Sequence, residues 1–288
     1  MKADVECLTC ILRQAVTAAR LTDAMPNLQF QAIREVIRYL YSIDDLSNSP
    51  AELSTPAYRI VKEITGHPDP YKNLKEESTR HTRNHLKEIE KIIQESSRHL
   101  WTAGHLAVIG NTIDFGIFHA NDINIERDLM TMLKQPLEID DFFRFRQLLP
   151  QKKELLYICD NAGEIYFDYL FSREISLQYP ELDITFIVRS FPVINDATMK
   201  EAQDAGLNTI GTILCTGNDE IGLPLSKINP DIQEIWKRNP LVISKGQGNF
   251  ETLNQQKGDI FFLLKAKCPL VAHELGVKLY DAVFKYQH

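Results

Sequence analysis

The spacing of apolar residues divides the chain into two parts. Up to about residue 100, apolar residues recur at helical intervals, for example at Ile11, Ala15 and Ala19, which predicts amphipathic helices. A polar break at residues 47–50 is followed by Thr55 and Pro56, where we predict that the third helix begins. We therefore expect an N-terminal all-helical domain at residues 1–100, followed by a second domain at residues 101–288.

Short runs rich in Ile, Val, Phe and Leu characterise the second part. They span residues 106–109, 155–159, 184–188, 209–214, 241–244 and 260–264, with a further candidate at 269–272. Helical stretches alternate with the middle runs, which is typical of βα units and a mainly parallel sheet. The predicted fold class is therefore α/β.

Composition and charge narrow the range of functions. The chain has 288 residues and a net charge of −7, which gives no overall positive field to attract nucleic acid or an anionic membrane. No apolar run reaches the roughly 20 residues that span a bilayer, and the acidic start of the chain does not predict a signal peptide. Five scattered cysteines are typical of free thiols in a reducing compartment. We expect a cytoplasmic protein with neither a nucleic-acid nor a membrane partner.

A carboxylate and a carboxamide, Asp160 and Asn161, follow the run at 155–159. Ligands of open α/β sheets bind beyond the carboxyl ends of the strands, and Asp and Asn oxygens are ligands that Mg²⁺, Mn²⁺ or Ca²⁺ prefers. Asx residues also cap helices at this place, so the pair alone fits either role. Asp196, after the next strand, is a third oxygen donor or a helix cap. Arg189 carries a guanidinium suited to phosphate oxygens.

Polar groups also follow the run at 106–109. Asn111 and Asp114 repeat the arrangement of a strand followed by Asn and Asp, although taken alone they are typical of a turn. Together with Asp160 and Asn161 they predict a second set of polar groups at the same edge of the sheet.

A glycine-containing loop follows the run at 241–244. The two glycines Gly246 and Gly248 expose backbone N–H groups that bind anions, and Lys245 adds a positive charge. The loop lacks the ending of a Walker A motif, and Glu251 occupies the third glycine position of the dinucleotide fingerprint. It therefore favours a phosphate-sized anion.

A divalent metal and a phosphate group together account for these residues. A hard cation polarises a phosphoryl oxygen and lowers the pKa of a bound water molecule, while Lys and backbone N–H groups neutralise the phosphate. An aspartyl-phosphate mechanism needs a second Asp two residues after Asp160, where Ala162 stands. The sequence therefore favours a metal-activated water as nucleophile, with Glu164 or Asp114 as proton acceptor.

Three motifs resemble those of the damage-control phosphatases, a family long catalogued as domain of unknown function 89. They are Asp-Asn-Ala-Gly-Glu at 160–164, Asn-Asp-Ala-Thr at 195–198 and Lys-Gly-Gln-Gly-Asn-Phe-Glu at 245–251. Shorter similarities lie at Cys7 and Cys10, at Asp-Pro-Tyr-Lys (69–72), and at Gly110 and Asn111 with Asp114. Glu164 stands three residues after Asn161, where some members have an acidic residue four residues on, and the late loop differs from the Asp-Leu-Asn-Tyr-Arg of other members. This indicates a different branch of the family.

The resemblance implies a Rossmann-like, three-layer α/β domain and a phosphatase of small, often damaged or surplus, phosphorylated metabolites. One divalent ion (Mg²⁺, Mn²⁺, Co²⁺ or Ni²⁺) would be bound by Asp160, Asn161 and Asp196, and Glu164 completes the predicted catalytic set. The predicted substrate-binding residues are Asn111, Asp114, Arg189, Lys245, Gly246, Gln247, Gly248, Asn249, Glu251, Lys265 and Lys267. The amides and the carboxylate of Glu251 favour a phosphorylated sugar or polyol, with pantetheine-like phosphates as the other option.

Two other functions stay open at this point. A strand that ends in an acidic residue beside Gly163 is also found where S-adenosylmethionine binds, which would make the protein a methyltransferase. However, the sequence has no Gly-x-Gly loop after an early strand, which this cofactor requires. The third hypothesis is a non-catalytic metabolite-binding protein in which Cys7 and Cys10 have a structural or redox role.

Overall fold

The structure is a computed structural model that describes the backbone of residues 1–113 and 125–288 and the side chains of residues 1–110 and 129–288. The helices that it describes before the first strand are α1 (Val5–Arg20), α2 (Pro26–Tyr41), α3 (Pro50–Thr65), α4 (Lys72–Asn84), α5 (Leu86–Glu95), α6 (His99–Ile113) and α7 (Ile125–Leu133). Helix α3 begins earlier than predicted, because Ser49 and Glu52 form a capping box and Pro50 occupies the first turn. Pro56 therefore lies inside this helix and not at its start.

Seven strands form one sheet in the order β1-β7-β6-β5-β2-β3-β4. The strands are β1 (Ile139–Asp140), β2 (Glu154–Ile158), β3 (Asp183–Val188), β4 (Thr212–Cys215), β5 (Leu241–Lys245), β6 (Ile260–Lys265) and β7 (Ala282–Gln287). The helices between them are α8 (Phe142–Leu148), α9 (Ile165–Gln178), α10 (Met199–Ala205), α11 (Pro230–Lys237), α12 (Gln247–Leu253) and α13 (Pro269–Leu275). Strands β2 to β6 are parallel to one another, whereas β7 is antiparallel to β6. The mainly parallel α/β sheet is confirmed.

Alternation along the strands builds a core on each face of the sheet. Leu155 and Tyr157 belong to one apolar cluster together with α6, α8 and α9, and Leu156 and Ile158 belong to another together with α11, α12 and α13. Successive side chains of a strand point to opposite faces, so strands that are apolar throughout are covered by helices on both sides. This is the predicted three-layer arrangement.

The run at 106–109 is not a strand but part of helix α6. From Thr102 to Gly110 this helix is buried on all sides, so its apolar residues show no periodicity. A short apolar run cannot by itself distinguish such a helix from a strand. Its close packing depends on Gly104, which lies against the rings of Phe142 and Phe171, and on Gly110, which lies against the ring of Phe167. The prediction that Asn111 follows a strand was therefore wrong.

Three further differences between the predictions and the structure concern residues 269–272, strand β4, and the strands β1 and β7. Residues 269–272 belong to helix α13, for which Cys268 is the N-cap and Pro269 the first residue. The run at 209–214 is only partly a strand, because residues 207–209 form a 3₁₀ turn before β4. Strands β1 and β7 were not predicted, since β1 has two residues and β7 carries polar side chains.

The N-terminal helices divide between two cores. Helices α1 to α3 form a cluster of their own, joined by Val193 and Ile221 from the loops after β3 and β4. Helix α5, in contrast, packs with the sheet through Ile89, Ile92 and Ile93. The domain division at residue 100 stays a prediction. In the described part of the chain, no helix is both long and apolar enough to cross a membrane.

Candidate active site

The three predicted metal ligands and the glycine loop meet where the order of the strands changes direction. Strands β2, β3 and β4 lie side by side toward one edge, and β5 returns to the other side of β2. The carboxyl ends of β2 and β5 therefore diverge into the crevice where open α/β sheets bind ligands. Asp160 follows β2 and Gly246 follows β5, and a Cβ atom on Gly246 would overlap the Asp160 carboxylate. Only glycine lets the two strand ends approach this closely.

Backbone hydrogen bonds join the loop after β2 to the loop after β3. The Ala162 N–H donates to the Asn195 carbonyl at 2.9 Å, and the Ala197 N–H donates to the Asp160 carbonyl at 2.7 Å. Asn161 and Asp196 form an isolated antiparallel bridge between these bonds. The structure thus brings together all three predicted metal ligands.

The Asn161 carboxamide is held with its oxygen available. Its nitrogen donates to Asp160 Oδ2 at 3.0 Å and to Glu164 Oε1 at 2.9 Å, whereas Oδ1 accepts no hydrogen bond from any residue that the structure describes. Asp196 is similar, because Oδ2 accepts a bond of 2.6 Å from Arg189 Nε and Oδ1 accepts none within the described part of the chain. Each of the two side chains therefore keeps one oxygen for a cation.

The acidic groups of this cluster are difficult to charge together. Burial, and then the negative charges of Asp196 and Glu164, raise the pKa of the Asp160 carboxyl well above its usual value. Burial also raises the pKa of Asp196, despite the adjacent guanidinium of Arg189. A nearby cation favours the charged form of a carboxyl group. The cluster therefore has the electrostatics of a cation site.

Glu164 holds Asn161 in place through hydrogen bonds. Its Oε1 accepts the backbone N–H of Asn161 at 3.0 Å and the Asn161 carboxamide, while Oε2 accepts the Lys245 ammonium at 3.1 Å. The residue is 2% exposed. Both of its oxygens are thus engaged inside the protein, and its role as a proton acceptor stays a prediction.

Lys245 is placed in an internal ion-pair network and not in an open loop. Its ammonium, fully buried, lies 2.6 Å from Asp168 Oδ1 and 3.1 Å from Glu164 Oε2. Asp168 also accepts the Tyr157 hydroxyl at 2.7 Å, and burial raises its pKa to about 6. Burial alone lowers the pKa of Lys245, but Asp168 and Glu164 raise it above its usual value. Asp168 was missed in the sequence, although its position four residues after Glu164, between the apolar or aromatic pairs at 166–167 and 169–170, is a signal for such a network.

Replacing Lys245 by methionine is therefore expected to destabilise the fold. Two buried carboxylates would lose their counter-charge, which typically costs about 3–5 kcal/mol. Denaturant unfolding measures this loss, with Lys257→Met, at an exposed position, as the control. A variant of unchanged stability that binds inorganic phosphate less tightly would instead show that Lys245 acts on the ligand, as its place in the glycine loop had suggested.

Arg189 and Asn249 form the frame behind Asp196. The Arg189 guanidinium bonds to Asp196, to the Gly222 carbonyl and to Asn249 Oδ1, and the Asn249 amide donates to the carbonyls of Cys159 and Lys245 at 3.1 and 2.8 Å. Both side chains are buried. Each guanidinium nitrogen has an internal acceptor, so Arg189 positions Asp196 in this structure.

Gln247 and Glu251 connect the glycine loop to its surroundings. Gln247 Nε2 donates to Glu251 Oε1 at 2.9 Å, and its Oε1 accepts the backbone N–H of Lys267 at 3.1 Å. Burial raises the pKa of Glu251 to about 7. Because this carboxylate is 6% exposed and faces Gln247, it gives no support to the preference for sugars that the sequence suggested.

Two of the predicted lysines lie at the carboxyl end of β6 and just beyond it. Lys265 ends β6, and its ammonium lies 5.7 Å from the centre of the Tyr280 ring. Lys267 is exposed, and its charge favours the ionised form of Asp160. Lys267 is therefore a cation that faces solvent within electrostatic reach of the acidic cluster.

Helix α4 covers the turn after β2, which the sequence did not indicate. A Cβ atom on Gly163 would overlap Ser78 Oγ, so the serine lies directly on this turn. One helical turn earlier, Lys75 is 4% exposed and pairs with Asp69 Oδ2 at 2.7 Å. The similarity at residues 69–72 therefore adjoins the site.

The remaining predicted residues cannot be placed. Asn111 lies in the last turn of α6, but its side chain is outside the described residues, as is all of Asp114. Among the side chains that the structure describes, those of residues 1–110 and 129–288, no group of three His, Cys, Asp or Glu is arranged as metal ligands. The candidate set consists of two carboxylates and one carboxamide.

Comparison with known proteins gives consistent matches along the whole chain. The sequence model described as "Damage-control phosphatase ARMT1-like domain" matches residues 3–283. A damage-control phosphatase of Pyrococcus horikoshii is 33% identical over 281 residues, with 96% of this chain and 95% of that protein covered. A damage-control phosphatase of Archaeoglobus fulgidus is 32% identical over 291 residues, with 99% of each covered.

A solved structure supports the same relationship. The crystal structure of a DUF89 family protein from Pyrococcus horikoshii superimposes with a TM-score of 0.92 at 31% sequence identity, with the whole of both chains covered. An uncharacterised protein of Methanocaldococcus jannaschii is 34% identical over 291 residues, covering 98% of this chain and 95% of that protein. The chain therefore belongs to the damage-control phosphatase family, as its motifs predicted.

Proposed function

We propose that this protein is a divalent-metal-dependent phosphatase of small phosphorylated metabolites. The observation that carries the proposal is the meeting of Asp160, Asn161 and Asp196 at the strand ends of β2 and β3, with oxygens of Asn161 and Asp196 left without hydrogen-bond donors among the described residues. Phosphatase activity is supported by the family to which the chain belongs. The metal and the substrate class are our inference.

The donor set fits a hard divalent cation. Carboxylate and carboxamide oxygens are the ligands of Mg²⁺ and Mn²⁺, and Co²⁺ and Ni²⁺ are the other candidates. Such an ion, when bound, polarises phosphoryl oxygens and makes a water molecule more acidic. It would also offset the burial and the repulsion by Asp196 and Glu164 that raise the pKa of Asp160.

The protein's own contribution is to fix the ligands and to attract the phosphate. Glu164 orients the Asn161 carboxamide, and Arg189 fixes one oxygen of Asp196, so neither ligand has to reorganise. Lys267 supplies a positive charge at the open side of the site, where it favours approach of an anionic ester.

All five cysteines are free thiols, which supports a cytoplasmic location.

Chelation tests the proposal directly. The purified protein should hydrolyse a generic phosphate ester, lose this activity after thorough treatment with EDTA, and regain it on addition of Mg²⁺, Mn²⁺, Co²⁺ or Ni²⁺. Unchanged turnover after chelation would contradict metal dependence. Tight binding of S-adenosylmethionine without phosphatase activity would instead favour the methyltransferase hypothesis.

A panel of phosphorylated metabolites would define the substrate class. Hexose and pentose phosphates, polyol phosphates and phosphopantetheine should be compared by kcat/KM with the metal that restores most activity. We expect small monoesters to be preferred to phosphodiesters, because the phosphoryl group of a monoester carries up to two negative charges and that of a diester only one, so a bound cation attracts the monoester more strongly.

A further inference from the structure

Lys75 is a buried cation whose hydrogen-bonding capacity is only partly used. Lysine is rarely buried unless it is paired, and Lys75 is 4% exposed with Asp69 Oδ2 at 2.7 Å as its ion-pair partner. An ammonium group has three donors. In the described part of the chain no second acceptor lies within hydrogen-bond distance, so two donors remain for another group.

The direction of this ammonium is set by the packing of α4. Ser78, one turn after Lys75, lies on Gly163 in the turn after β2, and residues three apart share one face of a helix. The charges of Lys75 and Asp196 also lie within interaction distance of each other. Lys75 therefore lies on the site side of α4, within electrostatic reach of a candidate metal ligand.

The other buried cations around the site differ from Lys75. The Lys245 ammonium has two carboxylate partners, and each nitrogen of the Arg189 guanidinium has an acceptor. Both cations use their hydrogen-bond donors on other groups of the protein and neutralise buried carboxylates. Lys75 combines burial, proximity to Asp196 and spare donors.

We propose that Lys75 binds the phosphoryl group of the substrate, an inference that rests on the proposed phosphatase function. Charge-assisted hydrogen bonds from an ammonium stabilise phosphoryl oxygens, most strongly where water is excluded. Asp69 pairs with the ammonium and orients the side chain while the site is empty of substrate. The N-terminal helices thus supply a substrate-binding residue to the α/β domain.

Four variants separate substrate binding from a structural role. Lys75→Met removes the charge, Lys75→Arg keeps it, and Asp69→Asn removes the partner while keeping the ammonium. Lys87→Met is the matched control, because Lys87 is an exposed lysine of the next helix. For each variant, kcat, KM, the affinity for inorganic phosphate with and without Mg²⁺, and the free energy of unfolding should be measured.

We expect Lys75→Met to lower kcat/KM about 100-fold, on the scale of removing one donor to a transition-state oxygen, and to weaken phosphate binding at least tenfold. Lys75→Arg should recover part of the loss. Asp69→Asn should destabilise the fold at least as much as Lys75→Met, because it leaves the buried ammonium without its counter-charge, whereas Lys75→Met leaves only the partly exposed carboxylate. It should nevertheless keep kcat/KM within tenfold of wild type. Lys87→Met should change none of these quantities.

The outcomes distinguish this inference from the proposed function. If Asp69→Asn and Lys75→Met lose activity and phosphate affinity equally, the pair is structural and the inference is wrong. Unchanged phosphate affinity in Lys75→Met would also overturn it. If the wild type hydrolyses no ester but binds phosphate through Lys75, the proposed function fails and the phosphate contact stands.

Discussion

Replacing Asp160 with asparagine is expected to lower kcat/KM for phosphate-ester hydrolysis by about 10³-fold or more, the scale seen when an essential catalytic group is removed. The reason is that Asp160 supplies negative charge at the point where β2 and β5 diverge, next to the oxygens of Asn161 and Asp196. Calorimetric titration with Mg²⁺ and Mn²⁺ should show a parallel loss of metal affinity.

The same substitution should leave the fold intact. The Asp160 carboxyl is already costly to ionise where it stands, so a neutral amide of similar size should change the free energy of unfolding by no more than about 1 kcal/mol. Asp183→Asn, at the exposed opposite end of the neighbouring strand β3, is the control and should behave like wild type. A variant of Asp160 with wild-type metal affinity and turnover would show that this residue only caps the turn.

Substitution of Asp160 tests the metal site more directly than substitution of Asp196, because it should affect activity with little effect on stability. Removing the Asp196 carboxylate also leaves the buried guanidinium of Arg189 without its partner, and breaking a buried pair typically costs about 3–5 kcal/mol. The sequence alone suggested that Asp196→Ala would lose only a ligand and a helix cap. The structure shows that its effect on activity would be mixed with an effect on stability.

The second large effect is expected from Gly246→Ala. A Cβ atom here would overlap the Asp160 carboxylate and lie 2.6 Å even from the farther oxygen, Oδ1. Asp160 would have to leave its position, so kcat/KM should fall nearly as far as in Asp160→Asn. The backbone of Gly246, at φ 78° and ψ 168°, also lies in a region open essentially to glycine alone, which adds about 1–3 kcal/mol of strain.

A double-mutant cycle separates these two causes. If the alanine acts on the rate by displacing Asp160, it should have no further effect on kcat/KM in the Asp160→Asn background. Gly66→Ala is a second control, because Gly66 has φ 67° with nothing within 4 Å of the added Cβ, so it carries strain without contact. Independent, additive losses in the double variant would show that Gly246 affects the rate by some route other than Asp160.

Local patterns were sufficient for most of the sheet and for the metal ligands. Strands β2, β3, β5 and β6 are continuous apolar runs because both of their faces are covered. Oxygen-bearing side chains directly after β2 and β3 could be assigned to one edge, since the carboxyl ends of parallel strands meet there. The grouping of Asp160, Asn161 and Asp196 follows from this local information.

Tertiary structure decided what each charged residue does. Lys245, Arg189 and Glu251 read from the sequence as groups that face a phosphate or a sugar, yet their side chains are buried and bonded to other protein groups. A side chain that follows a strand can point into the crevice or into the interior of the protein. The choice depends on partners such as Asp168 and Asn249 that are distant in sequence from the residues they bind.

The sequence by itself determined the α/β class, the main parallel strands, the family and the three candidate metal ligands. Only the tertiary structure turned the apolar run at 106–109 into a helix, because burial on every side removes the periodicity that would have identified it. It alone placed α4, with Lys75 and Ser78, over the turn after β2. Contacts between such distant segments depend on how the helices pack on the sheet, and no local spacing encodes that packing.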